Sequence, residues 1–153
     1  MKYTEAKQGR LFILRLEHGD VVTDSIQAFA KEKQIKSAYV QIVGGAEKGS
    51  RLVVGPEDGQ AAKPEKVYLH TEGVSEMFGV GTLFTNEMGE PKLHLHSSFG
   101  RGNHANTGCC WPGVVTWHIG EVIIQEIITD AASRKLNKDN GFELLEIEES
   151  ENR

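Results

Sequence analysis

The stretch 38–45, with the sequence AYVQIVGG, decides the fold of this chain. From Ala38 to Val43 one set of side chains (Ala38, Val40 and Ile42) alternates with a second set at positions 39, 41 and 43. This is the period-two pattern of a β-strand. Gly44 and Gly45 end the run, and two glycines at this point favour a β-bulge or a tight turn. They lack the G-x-G-x-x-G spacing and the parallel context of a nucleotide site, so we interpret them as structural.

Strand patterns recur outward from this stretch on both sides. They occur at 11–16, 51–54, 67–70, 78–84, 93–99 and 114–128. Gly120 interrupts the last of them, which indicates a bulge or a close approach of two backbones. The polar segment 129–140 is predicted to leave the sheet, with a short helix as one option, and 141–145 to return as an edge strand.

One segment has helical periodicity instead. Its apolar residues recur at positions 22, 26, 29 and 30. This spacing predicts a helix over 21–33, preceded by Gly19 and Asp20 as a turn and candidate N-cap. One main helix among six or seven strands predicts an α+β fold, in which the helix packs on one face of an antiparallel β-sheet.

Length and composition are those of one globular domain. The chain has 153 residues, of which 39% are hydrophobic and 25% charged. We expect a single domain over 1–153, with its core at about 10–146 and an acidic tail at 147–153. The sequence contains neither an apolar run of about 20 residues nor a secretory signal pattern, so the prediction is a cytoplasmic protein without membrane association.

Charge and cysteine content narrow the classes of partner. The formal net charge is −5, from 17 basic and 22 acidic side chains. This balance disfavours binding to nucleic acid by this chain alone, because the phosphate backbone requires a basic surface. The two cysteines, Cys109 and Cys110, are adjacent. Neighbouring cysteines rarely bridge, so we expect no disulfide and a reducing compartment.

A His-x-His pair is the strongest candidate for chemistry. His94 and His96 lie two residues apart in a predicted strand, so both imidazoles point to one face of the sheet. Two such imidazoles can converge on one metal ion, and thiols with histidines favour zinc. Further ligands are available nearby from residues that include His104, Cys109, Cys110 and His118. The alternative is that both histidines are only polar residues on a solvated face.

Other candidate sites are weaker. The segment 100–104, with the sequence GRGNH, is predicted as a flexible loop in which Arg101 and His104 bind a small anionic ligand. The alternative is a plain glycine-rich turn. Neither a Ser-His-Asp order nor a pair of catalytic carboxylates can be identified, so the residues predict no particular enzymatic reaction.

Several of these features occur in the order of a known family. They are GDV at 19–21 with the helix that follows, IKSA at 35–38 leading to GGA at 44–46, PKLHLH at 91–96, and GFELL at 141–145. Together the segments resemble the PPC (plants and prokaryotes conserved) domain, over about 10–146. The resemblance implies an α+β fold with an antiparallel sheet, assembled as a homotrimer.

The resemblance also bears on partners and ligands. In land plants the domain accompanies AT-hook motifs, which supply the DNA contact, while the domain itself mediates self-association and protein contacts. Here the Arg-Gly-Arg-Pro core of an AT-hook is absent, since Asn103 follows Arg101-Gly102. Family members commonly have Gly-Gly-His before the last strand, whereas this chain has Thr107-Gly108-Cys109. The resemblance thus implies a metal site in which a thiol replaces the third histidine.

Two functions remain open from the sequence. The first is a homotrimeric protein that binds a metal ion, most simply zinc, or a small ligand. Its predicted ligands are His94, His96 and Cys109, with His118 or His104 as a fourth. The second is a protein-interaction or regulatory module in which the histidines are only structural.

Overall fold

A computed structural model describes residues 1–111 and 113–148. Within them the chain forms ten strands and one helix. In chain order these are β1 (Lys7–Glu17), α1 (Val22–Glu32), β2 (Ser37–Ala46), β3 (Arg51–Val53), β4 (Tyr68–His70), β5 (Ser75–Thr85), β6 (Pro91–Arg101), β7 (His104–Cys109), β8 (Thr116–Ile128), β9 (Ala132–Leu136) and β10 (Glu143–Ile147). In this part of the chain no helix has the length and hydropathy to cross a membrane.

The main sheet contains eight strands in the order β1-β8-β2-β5-β6-β7-β3-β4, and β9 and β10 form a separate pair. The paired strands in both sheets are antiparallel. The predicted α+β class with an antiparallel sheet and one main helix is therefore confirmed. The main sheet has eight strands instead of six or seven, because sequence reasoning missed β7.

The helix covers one face of the sheet and closes the core. Its apolar stripe, including Val22, Ile26 and Ala30, is fully buried together with inward residues of the strands such as Leu95. The predicted helix boundaries are correct to within one residue, but the candidate N-cap is not. Val21 is the N-cap, and the Asp20 carboxylate instead accepts a hydrogen bond of 2.8 Å from the backbone N–H of Glu17, which closes the turn before the helix.

Gly44 and Gly45, which end the alternating pattern of 38–43, mark a β-bulge, one of the two structures predicted for them. The pairing of β2 with β8 shifts between Gly44, opposite Gly120, and Gly45, opposite Trp117. A Cβ atom on Gly45 would lie 2.6 Å from the carbonyl oxygen of Trp117. Glycine is therefore required by the close approach of two backbones, and the interruption at Gly120 is the other side of the same bulge.

The segment 100–104 forms the plain glycine-rich turn that was the alternative to a flexible loop. Gly102 (φ +61°) and Asn103 form a two-residue turn that joins β6 directly to β7. The segment 129–140 contains strand β9 instead of a short helix, since β9 pairs with β10. The edge strand predicted at 141–145 is present as β10, in this separate pair instead of in the main sheet. Of the predicted acidic tail, Ile147 belongs to β10, and 149–153 lie outside the described residues.

The sheet face opposite the helix carries exposed apolar side chains. Ile13, Phe78 and Val80 are 80%, 65% and 48% exposed. We call this surface the open face; it also includes His96, which lies directly opposite Val80 in the register. The histidine pair therefore lies on the surface of the sheet and not in the core.

Candidate metal centre

The histidine pair lies in the middle of β6. His94 and His96 point to the open face, while Leu95 between them is fully buried in the core. The two Nε2 atoms are 3.1 Å apart, and the rings meet edge to face with their centroids 4.8 Å apart. Because side chains alternate along a regular strand and Leu95 is buried in the core, the imidazoles on either side of Leu95 point to the same place on the open face.

The hairpin between β6 and β7 supplies the third donor. Its two-residue turn fixes a register in which Cys109 lies directly opposite His96, so its thiol also points to the open face. One ligand atom from each of His94, His96 and Cys109 lies within 4.8 Å of the other two. The predicted core of the site thus comes together from a single hairpin.

Small residues on the other neighbouring strand allow β6 to take this position. Gly81 of β5 is paired with Leu95. A Cβ atom on Gly81 would lie 2.5 Å from the carbonyl oxygen of His94 and 2.9 Å from the Cα of Leu95. Any side chain here would push the histidine strand away from β5.

The protonation of the donors follows from their surroundings. Partial burial, reinforced by the neighbouring His96 and Arg134, lowers the pKa of His94, so its imidazole is neutral and able to bind a metal at neutral pH. Burial raises the pKa of the Cys109 thiol, an effect that Lys66 and Arg134 partly oppose. A metal ion must therefore displace the thiol proton when it binds.

The geometry of the three donors is close to that of a zinc site. Zn–N distances of about 2.0–2.1 Å in a tetrahedral site place two nitrogens about 3.3 Å apart, compared with 3.1 Å between the histidine Nε2 atoms. A nitrogen and a sulfur would be about 3.6 Å apart. Small side-chain rotations bring donors within 4.8 Å to that separation. The donor set fits zinc, with one coordination position left over.

The structure does not bring the other predicted ligands to this cluster. His118 lies on β8, and β2 and β5 separate that strand from β6, a distance of roughly 14 Å at the usual strand spacing. His104 pairs with Arg101 beside the hairpin turn, roughly 17 Å along β7 from Cys109. Cys110 is buried on the core side, and burial raises its pKa to about 12.

Arg101, the predicted anion ligand, has an evident structural contact. Its Nη1 donates a hydrogen bond of 2.7 Å to the carbonyl oxygen of Val74. That bond ties the end of β6 to the residue before β5. Its role in ligand binding stays a prediction.

Two cations near the cluster were missed by sequence reasoning. Arg134 of β9 is only 6% exposed, and Lys66 lies with its Nζ 3.9 Å from the centroid of the Trp111 ring. Both act electrostatically on the Cys109 thiol. No local pattern marks them, because they come from segments that were interpreted as a polar excursion and as the approach to a strand.

Comparison with known proteins gives a consistent picture. The model of the Plants and Prokaryotes Conserved (PCC) domain family matches residues 3–128. Among curated proteins, no significant match is found.

Solved structures with low sequence identity share the fold. A metal-containing protein from Archaeoglobus fulgidus is 23% identical, with a TM-score of 0.80 over 94% of this chain and 98% of its own. A plant- and prokaryote-conserved (PPC) protein from Pyrococcus horikoshii is 22% identical, with a TM-score of 0.79 over all of both chains. A protein from Bacteroides thetaiotaomicron, described as a candidate DNA-binding protein, is 20% identical, with a TM-score of 0.75 over 94% of this chain and 98% of its own.

Proposed function

This chain belongs to the Plants and Prokaryotes Conserved domain family, and we propose that it binds a zinc ion, or a similar soft divalent metal ion, through His94, His96 and Cys109. The observation that carries the proposal is the convergence of two imidazoles and one thiol, whose ligand atoms lie within 4.8 Å of one another. The description of the Archaeoglobus fulgidus neighbour as metal-containing agrees with it.

The donor set selects the kind of metal. Imidazole and thiolate suit zinc and other late transition metals, whereas magnesium and calcium prefer oxygen ligands, of which the cluster has none. Three protein ligands leave one position of a tetrahedral ion open, as in sites that bind a further small molecule. Because both histidines are exposed, that position faces solvent. The proposed role is therefore metal-dependent binding of a small ligand.

Assembly as a homotrimer belongs to the same proposal. The open face exposes Ile13, Phe78 and Val80, which form an apolar surface suited to contact with another copy of the chain. His96 lies directly opposite Val80, so this surface adjoins the metal donors. Contact between copies would then border the metal and limit the size of its ligand.

Other partners are less well supported. The Bacteroides neighbour is described as a candidate DNA-binding protein, but a net charge of −5 on this chain disfavours contact with a phosphate backbone. A cytoplasmic location, where thiols stay reduced, is part of the proposal because both cysteines are free.

The direct test is the metal content of the purified, untagged protein, measured by elemental mass spectrometry beside its native mass. We expect about one zinc ion per chain and a trimer. Cobalt(II) loading then identifies the ligands, because a cobalt–thiolate bond gives a charge-transfer band in the near ultraviolet.

The adjacent cysteines provide a matched pair of variants for the cobalt experiment. Cys109→Ala removes the proposed ligand, whereas Cys110→Ala removes a thiol that faces the core. The band should disappear only in Cys109→Ala. A trimer that takes up neither metal, or a band that depends on Cys110, would overturn the metal assignment.

An interaction module is the second candidate, and the exposed apolar open face specifically favours it. Phe78→Asp places a charge in the middle of that face and should yield monomers. Met88→Asp is the control, because Met88 is also exposed (77%) but lies between β5 and β6, outside the face. If Phe78→Asp leaves the native mass unchanged, this face does not mediate assembly.

A further inference from the structure

Arg134 of β9 lies against the strand that carries the histidines. Its Nη2 is 3.4 Å from Thr82 Oγ1, and its Nε is 3.4 Å from the carbonyl oxygen of Lys92. Thr82 is paired directly with His94, and Lys92 precedes His94 by two residues on β6. The guanidinium of a separate hairpin is therefore next to the proposed metal site.

The hydrogen bonds of this guanidinium do not compensate its charge. They go to the oxygens of Thr82, Lys92 and the backbone of Glu143, all neutral and all at 3.3–3.5 Å. Within residues 1–111 and 113–148, no carboxylate lies within 4.0 Å of it. A buried cation whose hydrogen bonds are long and go to neutral groups is costly. Burial lowers the pKa of Arg134, an effect that the Glu143 carboxylate and Cys109 partly oppose.

A second cation lies near the cluster. Lys66, over the Trp111 ring, acts on the Cys109 thiol together with Arg134. When a divalent ion binds, the three donors contribute only one negative charge, that of the thiolate. The site then keeps an excess of positive charge, since the ion, Arg134 and Lys66 outweigh the thiolate and the Glu143 carboxylate near Arg134.

We propose that the ligand at the open metal position is a small anion with a carboxylate or phosphate group, and that Arg134 is its second contact. This inference rests on the proposed metal site. The planar guanidinium fork matches the oxygens of both groups, and contact with an anion would replace hydrogen bonds that are at the limit of their length. A neutral ligand would not compensate the buried positive charge of Arg134.

The simpler role for Arg134 is to hold the β9–β10 hairpin on the sheet. The two roles predict different results for cobalt-loaded protein titrated with acetate or inorganic phosphate at constant ionic strength. The anion role predicts that the visible cobalt spectrum changes at saturable concentrations of at least one anion. It also predicts that Arg134→Gln keeps cobalt stoichiometry but weakens anion binding by at least about tenfold.

Arg15→Gln is the matched control, because Arg15 is an exposed arginine whose ion pair with Glu17 lies on edge strand β1, four strands from β6. It should bind the anion like the unmodified chain. Arg134→Lys keeps the charge without the fork and should show a smaller loss; it also serves if Arg134→Gln does not fold. Which of the two probes binds more tightly distinguishes a carboxylate from a phosphate ligand.

The outcomes separate this inference from the metal site. A chain that takes up no cobalt overturns both. A cobalt spectrum that ignores acetate and phosphate, or that responds equally in Arg134→Gln and the unmodified chain, overturns the anion inference alone. Loss of the response in Arg101→Gln but not in Arg134→Gln would assign the anion to the β6–β7 turn instead.

Discussion

The described part of the chain contains two pairs of neighbouring histidines, and only one of these is arranged like a metal site. His94 and His96 bring their Nε2 atoms to 3.1 Å and face Cys109 across a regular register. His18 and His118 lie with their rings 5.9 Å apart, and Nδ1 of His18 already accepts the backbone N–H of His118 at 3.3 Å. Proximity of imidazoles is therefore not enough; convergent nitrogens and a third donor are also required.

The backbone explains the difference. His94 and His96 belong to a strand with regular pairing on both sides. His118 lies at the bulge of β8 and has a φ of +58°, which is unusual for a residue other than glycine. Regular alternation aims two side chains at one point, whereas the bulge turns His118 toward Trp117 and His18.

The largest expected effect is on bound zinc, when the two histidine pairs are removed in separate variants. His94→Ala with His96→Ala should reduce bound zinc from about one ion per chain to none, while His18→Ala with His118→Ala should leave it unchanged. Zinc at about 100 times its Kd should stabilise the unmodified chain by about 2.7 kcal/mol and the first variant not at all. Elemental analysis and thermal unfolding measure both; equal zinc in the two variants would break the comparison.

The next effect concerns the apolar residue beside each pair. Leu95→Ala removes a fully buried side chain between the site histidines and should cost about 2–5 kcal/mol of unfolding free energy. Ile119→Ala, next to His118, changes a residue that is 36% exposed and should cost no more than about 0.5 kcal/mol. Chemical denaturation tests this, and similar costs would mean that the core does not anchor the histidine strand preferentially.

A smaller effect is the pH dependence of metal affinity. Burial raises the pKa of Cys109, so zinc displaces a proton from the thiol at neutral pH. Affinity should then rise by about tenfold per pH unit above neutrality, for one proton released. Cys109→His should flatten this slope, since free imidazole has a pKa of about 6.5. Calorimetry in buffers of different ionisation enthalpy counts the protons, and an equal slope in both proteins would exclude the thiolate as a ligand.

The smallest expected effect is on stability at acid pH, and it comes from an ion pair outside both histidine pairs. It shows how acid acts on the fold independently of metal binding. Arg10 donates to the Glu126 carboxylate at 2.6 and 2.7 Å and lowers its pKa. The stabilisation is present above the unfolded pKa of about 4.3 and is lost as pH falls through the lower folded pKa. Glu126→Gln should lower the Tm at pH 7, by an amount that shrinks below about pH 4. A difference that is independent of pH would mean that the ion pair contributes nothing to acid sensitivity.

Sequence reasoning found the parts of the structure that depend on local periodicity. The helix and the strand with His94 and His96 have clear 3.6- and two-residue patterns. Cys109 was one of several candidate ligands near the pair, and only the family resemblance singled it out, because β7 has the polar sequence HANTGC, without an apolar alternation that predicts a strand. Its register depends on the turn at Gly102, which local periodicity does not reveal.

The remaining part of the site depends on contacts between distant segments. Arg134 reaches Thr82 through the packing of a terminal hairpin, a contact that no short pattern encodes. The same applies to His118, which was expected beside the pair because its strand follows β6 and β7 in the sequence. The strand order of the sheet determines the position of His118, because β8 pairs with β1 and β2 and not with β6 or β7.

The two-residue turn at Gly102 and Asn103 also has a consequence for the order of events in folding. All three proposed metal donors come from one hairpin, and hairpins close in about 1–10 μs because their loop entropy is small. The pairing of β1 with β8 instead joins residues as far apart in sequence as Lys7 and Ile128, so it cannot form until nearly the whole chain has been synthesised. The three proposed donors can therefore come together in the nascent chain before the main sheet is complete.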